Sequence, residues 1–256
     1  MTAKTREWIP AAVVLVAVLV IWEGSIAVFH VQQFLLPKPT DIADALHDNW
    51  STLSSAGWYT FKEALGGFVA GSLVGIAFAV FVARFRAVGT ALMPFAIAAN
   101  AIPIIAFAPI FDVWFNPLSP HSKMAIAAVL CFFPVMVNTL RGLTSVRTSQ
   151  VQLMRSYAAS EREIFRRVRI PTALPYLFTA LKVASVLAMI GAVVGEYFGG
   201  SFNALGVLIK SDAANFDFPT AWAAIVVASV LGIALYLAVA LAERWLVRWA
   251  PEVRGP

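Results

Sequence analysis

Apolar residues run along this chain in long blocks, not in strict alternation or narrow stripes. Six blocks stand out, at about 9–29, 61–83, 91–111, 124–140, 174–198 and 220–242. Most are close to the ~20 residues a helix needs to cross the hydrocarbon core of a bilayer. Backbone amides in lipid find no water to bond, so each block predicts a helix. The predicted fold class is an all-α polytopic membrane protein with six transmembrane helices, forming one domain over residues 1–256. Pro94, Pro103 and Pro109 interrupt the third block and Pro134 the fourth. They predict kinks or breaks, tolerated where neighbouring helices or a cavity satisfy the freed carbonyls.

Composition supports burial in lipid. Charged residues make up 13% of the chain, where soluble domains carry about a quarter. Mean hydropathy is +0.80. Lys4 and Arg6 ahead of the first block resemble a secretory signal in outline. The block is longer than a usual signal core and no convincing small-x-small cleavage site follows, so a retained first helix is expected. Cys131 has no partner for an intrachain disulfide or a metal site, and His30, His47 and His121 match no ligand spacing. Neither a metal nor a cofactor is expected.

The net charge of +5 is unevenly placed. Lys4, Arg6, Arg84, Arg86, Arg244, Arg248 and Arg254 fall between or beyond blocks on one side. So do Arg141, Arg147, Arg155, Arg162, Arg166, Arg167 and Arg169. Only Lys38, Lys62, Lys123 and Lys210 fall on the other, with Lys182 inside the fifth block. This asymmetry predicts an arginine-rich side, and both termini, in the cytoplasm. Read so, the basic pI is a topology signal and does not call for nucleic acid.

Gly67, Gly71 and Gly75 recur at every fourth position of the second block, and Gly191, Gly195 and Gly199 do so in the fifth. Such rows let helix backbones approach closely in lipid. The contact is open between one chain and two copies. Ionisable groups inside the blocks are few, namely Glu23, Lys182 and, near an outer end, Glu196. Lys182 and Glu23 lie near helix ends and can snorkel to water. No chain of acids and histidines suggests a proton relay. Asn100 and Asn138 either line a path or bond across helices. Phe107 and Tyr197, with Trp114, suit a flat heterocycle on such a path, although aromatics also belt membrane interfaces.

The fourth and fifth blocks are joined by residues 141–173, which hold "RSYAASEREIFRRVRIPTALPY" from Arg155 onward. A connection of about 33 residues usually carries structure or function of its own. Ser149 with Gln152, and Ser160 with Glu163, fit capping boxes. They predict one short helix running to Ala158 and a second ended by Pro171 and Pro175. The result is a two-helix cytoplasmic loop. It fits either a partner's groove or an amphipathic hairpin on anionic headgroups. Leu153, Met154 and Tyr157 together favour the groove.

This loop resembles the signature of bacterial ABC-importer permeases: Glu-Ala-Ala, three residues, Gly, nine residues, Ile-x-Leu-Pro. Here Gln152, Leu153 and Met154 take the Glu-Ala-Ala positions, Ala158 the glycine, and Val168, Ile170 and Pro171 the closing positions. The first four differ from the pattern, and alanine at 158 is expected to continue the helix. The spacing survives. "FLLPKPTDIADAL", "NAIPIIAFAPIFDVWF" and "GAVVGEYFGG" are similar to segments of the nitrate, sulfonate and taurine importer group. "LMRSYAASE" and "GEYFGG" look most like the branch for pyrimidine vitamin precursors or riboflavin.

The resemblance implies a single transmembrane permease domain in a bacterial inner membrane. It implies two permease copies, a cytoplasmic ATP-binding subunit in two copies and an extracytoplasmic solute-binding protein. Gln152, Leu153, Met154, Tyr157, Ala158, Ala159 and Ser160 would form the ATPase-coupling surface. Asn100, Phe107, Asn138 and Tyr197 would line the translocation path. The chain itself would not be an enzyme, since it holds no Gly-x-x-x-x-Gly-Lys-Ser/Thr phosphate loop. The solute would be a pyrimidine vitamin precursor or riboflavin, else a nitrate- or sulfonate-type anion. The rival reading is a secondary transporter or channel not driven by ATP, which calls for midplane charges or an inverted repeat.

Overall fold

The computed structural model describes residues 3–85 and 103–249. Those residues form helices joined by short connections. Helix α1 spans Ala3–Phe29, α2 Pro39–Asp48 and α3 Trp50–Arg84. A 3-10 turn at Ile104–Phe107 leads into α4, Ala108–Phe115. Then come α5 (Pro120–Thr144), α6 (Thr148–Ser156) and α7 (Glu161–Ile164). A π turn at Phe165–Arg169 carries α7 directly into α8, Ile170–Phe198. Helices α9 (Leu205–Ala214) and α10 (Phe218–Leu246) complete the described chain.

Among the described residues, five helices are long and apolar enough to cross a membrane: α1, α3, α5, the continuous α7–α8 helix and α10. Of the third expected block, residues 91–102 lie outside the described residues, and Asn100 with them. Its described end is broken as its prolines require. The 3-10 turn begins just after Pro103, and Pro109 occupies the first turn of α4, where a missing N–H costs little. Pro134 behaves otherwise: α5 continues through it without a break.

Sequence punctuation sets most helix starts. Prolines open α2, α4, α5, α8 and α10. The Ser119 hydroxyl caps α5 and the Asp217 carboxylate caps α10, accepting the backbone N–H of His121 and Thr220 respectively. Glu23 does not snorkel freely. Its carboxylate accepts both the N–H and the hydroxyl of Thr40, the latter at 2.9 Å, and so caps α2. Edge-on contact of Trp22 with Trp222, centroids 5.4 Å apart, ties the same end of α1 to α10.

The centre of the bundle is α5, held between α3 and α8. Both glycine rows face it from within the same chain, except Gly199, whose Cβ would meet Asp112 and Pro117. A Cβ on Gly67 or Gly71 would run into Ala127 or the Ala128 carbonyl, and one on Gly75 would sit 2.8 Å from the Phe132 carbonyl oxygen. On the other flank, a Cβ on Gly191 would lie 2.9 Å from Ala127 Cα, and one on Gly195 3.0 Å from Ile126. The surrounding core is mostly alanine, including Ala64, Ala127, Ala184, Ala188 and Ala192, with Cys131 among them. The Cys131 thiol donates to the Ala184 carbonyl at 3.2 Å. With side chains this small, dispersion between backbones replaces interdigitated large residues.

A second cluster, of Val82, Ala83, Leu140, Leu143 and Ala173, closes the end where Arg84, Arg141 and the α6–α7 segment gather. The ends of α8 and α10 on that side meet through Phe178, Val239 and Val247.

Because Gly71 abuts backbone, Gly71→Ala should lower stability by about 1–3 kcal/mol through overpacking. Gly24→Ala, whose Cβ meets nothing within 4 Å, should be neutral. Thermal melting of the two purified variants checks this; equal melting temperatures would refute the seam.

Candidate functional site

The α6–α7 segment forms an exposed tip at the arginine-bearing end. Helix α6 starts earlier than the Ser149–Gln152 pair suggests. Its N-cap is Arg147, extended at φ −63° and ψ 136°, with no side-chain cap. Ser149 therefore lies inside the first turn instead of capping it. The helix stops at Ser156, and Ala158 takes φ 56°, in the left-handed region. This overturns the expectation that alanine would continue the helix. Two backbone bonds hold the reversal, Ala158 N–H to Arg155 O at 2.9 Å and Ala159 N–H to Met154 O at 3.1 Å. They are the paired bonds of a Schellman stop, which commonly places glycine where Ala158 stands. An alanine there costs about 1–2 kcal/mol of Cβ–carbonyl crowding.

The second turn follows the Ser160–Glu163 capping box as read from sequence. The Ser160 hydroxyl accepts the Glu163 N–H at 3.3 Å, and the Glu163 carboxylate accepts the Ser160 N–H at 2.9 Å. Arg155 and Glu161 pair at 2.7 Å across the reversal. Both are well exposed, so the pair adds little beyond local order. Ile164 is fully buried and pins the tip to the bundle.

Pro171 and Pro175 do not end this helix, contrary to expectation. The π turn absorbs Pro171: Ile170 N–H reaches back to Phe165 O, and the Thr172 hydroxyl donates to Val168 O at 2.7 Å. The wider turn gives room for a proline ring that an α-turn would crowd. The tip and α8 are thus one continuous rod.

The tip brings together the residues singled out for coupling. Leu153 is 57% and Tyr157 77% exposed. Gln152, Ala158 and Ser160 are exposed beside them, with Met154 and Ala159 half-buried. The residues expected on a path are not brought together. Among the described residues, Asn138 bonds within its own helix, its amide donating to Pro134 O at 2.9 Å. Phe107 ends the 3-10 turn, half exposed. Tyr197 lies near the opposite end of α8, where the Lys210 ammonium sits 5.5 Å over its ring. A cavity of about 870 Å³ at that end is lined by Asp112, Trp114, Phe115 and Phe198 among others, and by none of these path residues.

Polar groups are buried around α5, and of these Asp112 and Glu63 were passed over in the sequence. Lys123, expected in an exposed loop, has no exposed surface. Its ammonium bonds Asp112 at 2.9 Å and also the Pro117 carbonyl, and the Ser122 hydroxyl bonds Asp112 too. Lys182 does not snorkel; it pairs with Glu243 of α10 at 2.8 Å. Glu63 and Glu196 are buried near the Asp112 end. The residue types were visible: Asp112 and Lys123 flank an Asn116-Pro117 turn, which folds them together. At the end of α9, burial and then Asp217 push the Asp212 carboxyl above the usual carboxylate range.

Apolar rods around a glycine seam, with one capped, exposed tip at the arginine-bearing end, define an α-helical membrane protein. The chain belongs to the family of binding-protein-dependent transport system inner membrane components, which it matches over residues 67–249. It is 33% identical to the riboflavin transport system permease protein RibX of Chloroflexus aurantiacus, over 95% of this chain and 91% of that protein. It is 35% identical to the formylaminopyrimidine transport permease protein ThiX of Halalkalibacterium halodurans, over 90% of this chain and 92% of that one. A chain from inward-facing structures of the MetNI methionine ABC transporter shares the fold, with TM-score 0.51 and 21% identity over 81% of this chain and 94% of that one. The chain is therefore the non-catalytic permease subunit of an ABC importer. Membership implies a partner ATPase and a solute-binding protein.

Replacing Ala158 by glycine should relieve the left-handed strain and stabilise the tip by about 1 kcal/mol. Hydrogen–deuterium exchange at the Ala158 and Ala159 amides should slow; unchanged or faster exchange would contradict the assigned turn.

Proposed function

We propose that the α6–α7 tip is the surface on which the partner ATPase acts, with Gln152, Leu153, Met154, Tyr157, Ala158, Ala159 and Ser160 seated in its groove. The observation that carries this reading is the exposure of Leu153 and Tyr157 on a tip whose backbone is tied at both ends. A headgroup-bound hairpin would not need a rigid reversal. The arginine-bearing end then faces the cytoplasm, following the distribution of basic residues. The third apolar block supplies the sixth span, and residues 1–256 act as one permease domain.

In this reading two copies pair with two ATP-binding subunits. Closure of the ATPase pair draws the tips together. Because each tip continues into α8, and α8 grips α5, the pull reaches the opposite end as a rigid-body tilt and opens the cavity outward. Hydrolysis resets it. Phe107, Asn138 and Tyr197, with Asn100, remain candidates for the path between copies. The solute proposed is a pyrimidine vitamin precursor or riboflavin, supported by the names of the two relatives. A flat heterocycle also suits the aromatic walls of the outer cavity.

The test is uptake into proteoliposomes holding the permease, its ATPase and its binding protein. Labelled riboflavin or formylaminopyrimidine should enter only with ATP. Tyr157→Glu should cut both uptake and ATPase capture by about tenfold or more, as burying a charge in a groove does. Phe202→Glu, exposed at the other end, should leave ATPase capture intact. Uptake without ATP, or undiminished capture by Tyr157→Glu, would overturn the proposal.

A further inference from the structure

Three helices meet at two acids that the transport reading does not use. Glu63 of α3 and Glu196 of α8 are 2% and 1% exposed and lie within hydrogen-bonding reach of each other. Helix α9 starts directly on this site. Its Gly206 N–H donates to Glu196 Oε2 at 2.8 Å, and its Leu205 N–H donates to the Thr60 oxygen at 3.0 Å. The Thr60 hydroxyl lies beside Glu196 and the Tyr59 hydroxyl beside Glu63. After these bonds are made, one oxygen of each acid is left over. Glu63 Oε2 and Glu196 Oε1 are buried with no partner.

The charged groups facing the pair do not neutralise it. Lys123 approaches from α5, but its ammonium is committed to Asp112 of α4 and to the Pro117 carbonyl. Lys210 of α9 is turned to the Tyr197 ring and carbonyl. His121 is bonded to Ser119. Two adjacent carboxylates without a counterion are not stable out of water, and like-charged acids this close share a proton.

We propose that Glu63 and Glu196 form a binding site for one proton, carried by Glu63 and donated to Glu196, and that this proton latches α9 against α3 and α8. A single hydrogen between the two orphaned oxygens satisfies both. The assignment to Glu63 follows from the donors. Glu196 already accepts the Gly206 N–H and lies at the positive N-terminus of α9, so the negative charge stays there. Glu63 accepts no backbone N–H among the described residues. Release of the proton leaves two facing charges and loosens α9, the short helix joining α8 to α10 at the end away from the arginine tip.

The native chain holds a proton that an unfolded glutamate has released at neutral pH. Its stability from this site must therefore fall as pH rises. The test uses the full-length chain in nanodiscs. Infrared spectroscopy of wild type at neutral pH should show the C=O band of a buried carboxylic acid. Glu63→Gln should lose that band, melt near the wild-type temperature at mildly acidic pH, and lack the fall in stability that wild type shows as pH rises from there. Glu196→Gln should speed hydrogen exchange at Leu205 and Gly206. Absence of the band in wild type would overturn the proposal, even if the Gln variants failed to fold. So would sodium- or potassium-dependent stabilisation lost in both Gln variants, which would mark a metal-cation site instead.

Discussion

The structure depends on how closely α3 and α8 approach α5. Small residues on all three bring backbone within contact of backbone, leaving no room for a side chain at Gly67, Gly71 or Gly191. In lipid no hydrophobic force drives helices together, so shape fit and dispersion must do it. A seam of this kind resists shear, because sliding one helix past another would force a carbonyl into a neighbouring atom. The seam therefore ties the three helices to one another. Polar ties at the ends of the seam, Asp112 with Lys123 and Lys182 with Glu243, fix the flanking α4 and α10 to them. Buried pairs of this kind add register more readily than stability.

The coupling role proposed for the tip depends on that close packing. The α6–α7 reversal is not a flexible loop hung between spans. The Schellman bonds, the Ser160–Glu163 box and buried Ile164 fix its shape, and the π turn makes it continuous with α8. A partner that moves the tip moves α8, and through the seam moves α5 and α3. Helix α1 stands apart, with its apolar residues from Val13 to Ile21 largely exposed, and anchors mainly through Glu23 and Trp22 at one end. Lipid or a second copy can cover it without disturbing the seam.

Much of this was legible in the sequence because it rests on period and punctuation. Five of the six expected spans followed from apolar length, the seam from glycine at every fourth residue, and the second turn of the tip from Ser160 and Glu163. The failures share a cause: tertiary contacts overrode a local rule. Alanine at 158 favours helix, yet the two bonds back to Met154 and Arg155 force a left-handed turn. Pro171 normally stops a helix, yet a π turn makes room for it. Lys123 looked like a loop charge because its partner Asp112 is brought beside it only when α4 folds against α5. Glu63 was hidden inside an apolar block, and its partner lies on a helix far along the chain. Helices α2 and α9 escaped notice because they are short and lie in segments of mixed polarity.

The most direct measurement is crosslinking from the tip. A cysteine at Leu153, in a chain whose native Cys131 is fully buried, is coupled to a short bifunctional reagent in the assembled importer. The account predicts a crosslink to the ATPase subunit that changes with bound nucleotide, and none from a cysteine at Phe202 at the opposite end. Crosslinking to the ATPase from Phe202 and not from Leu153 would contradict it.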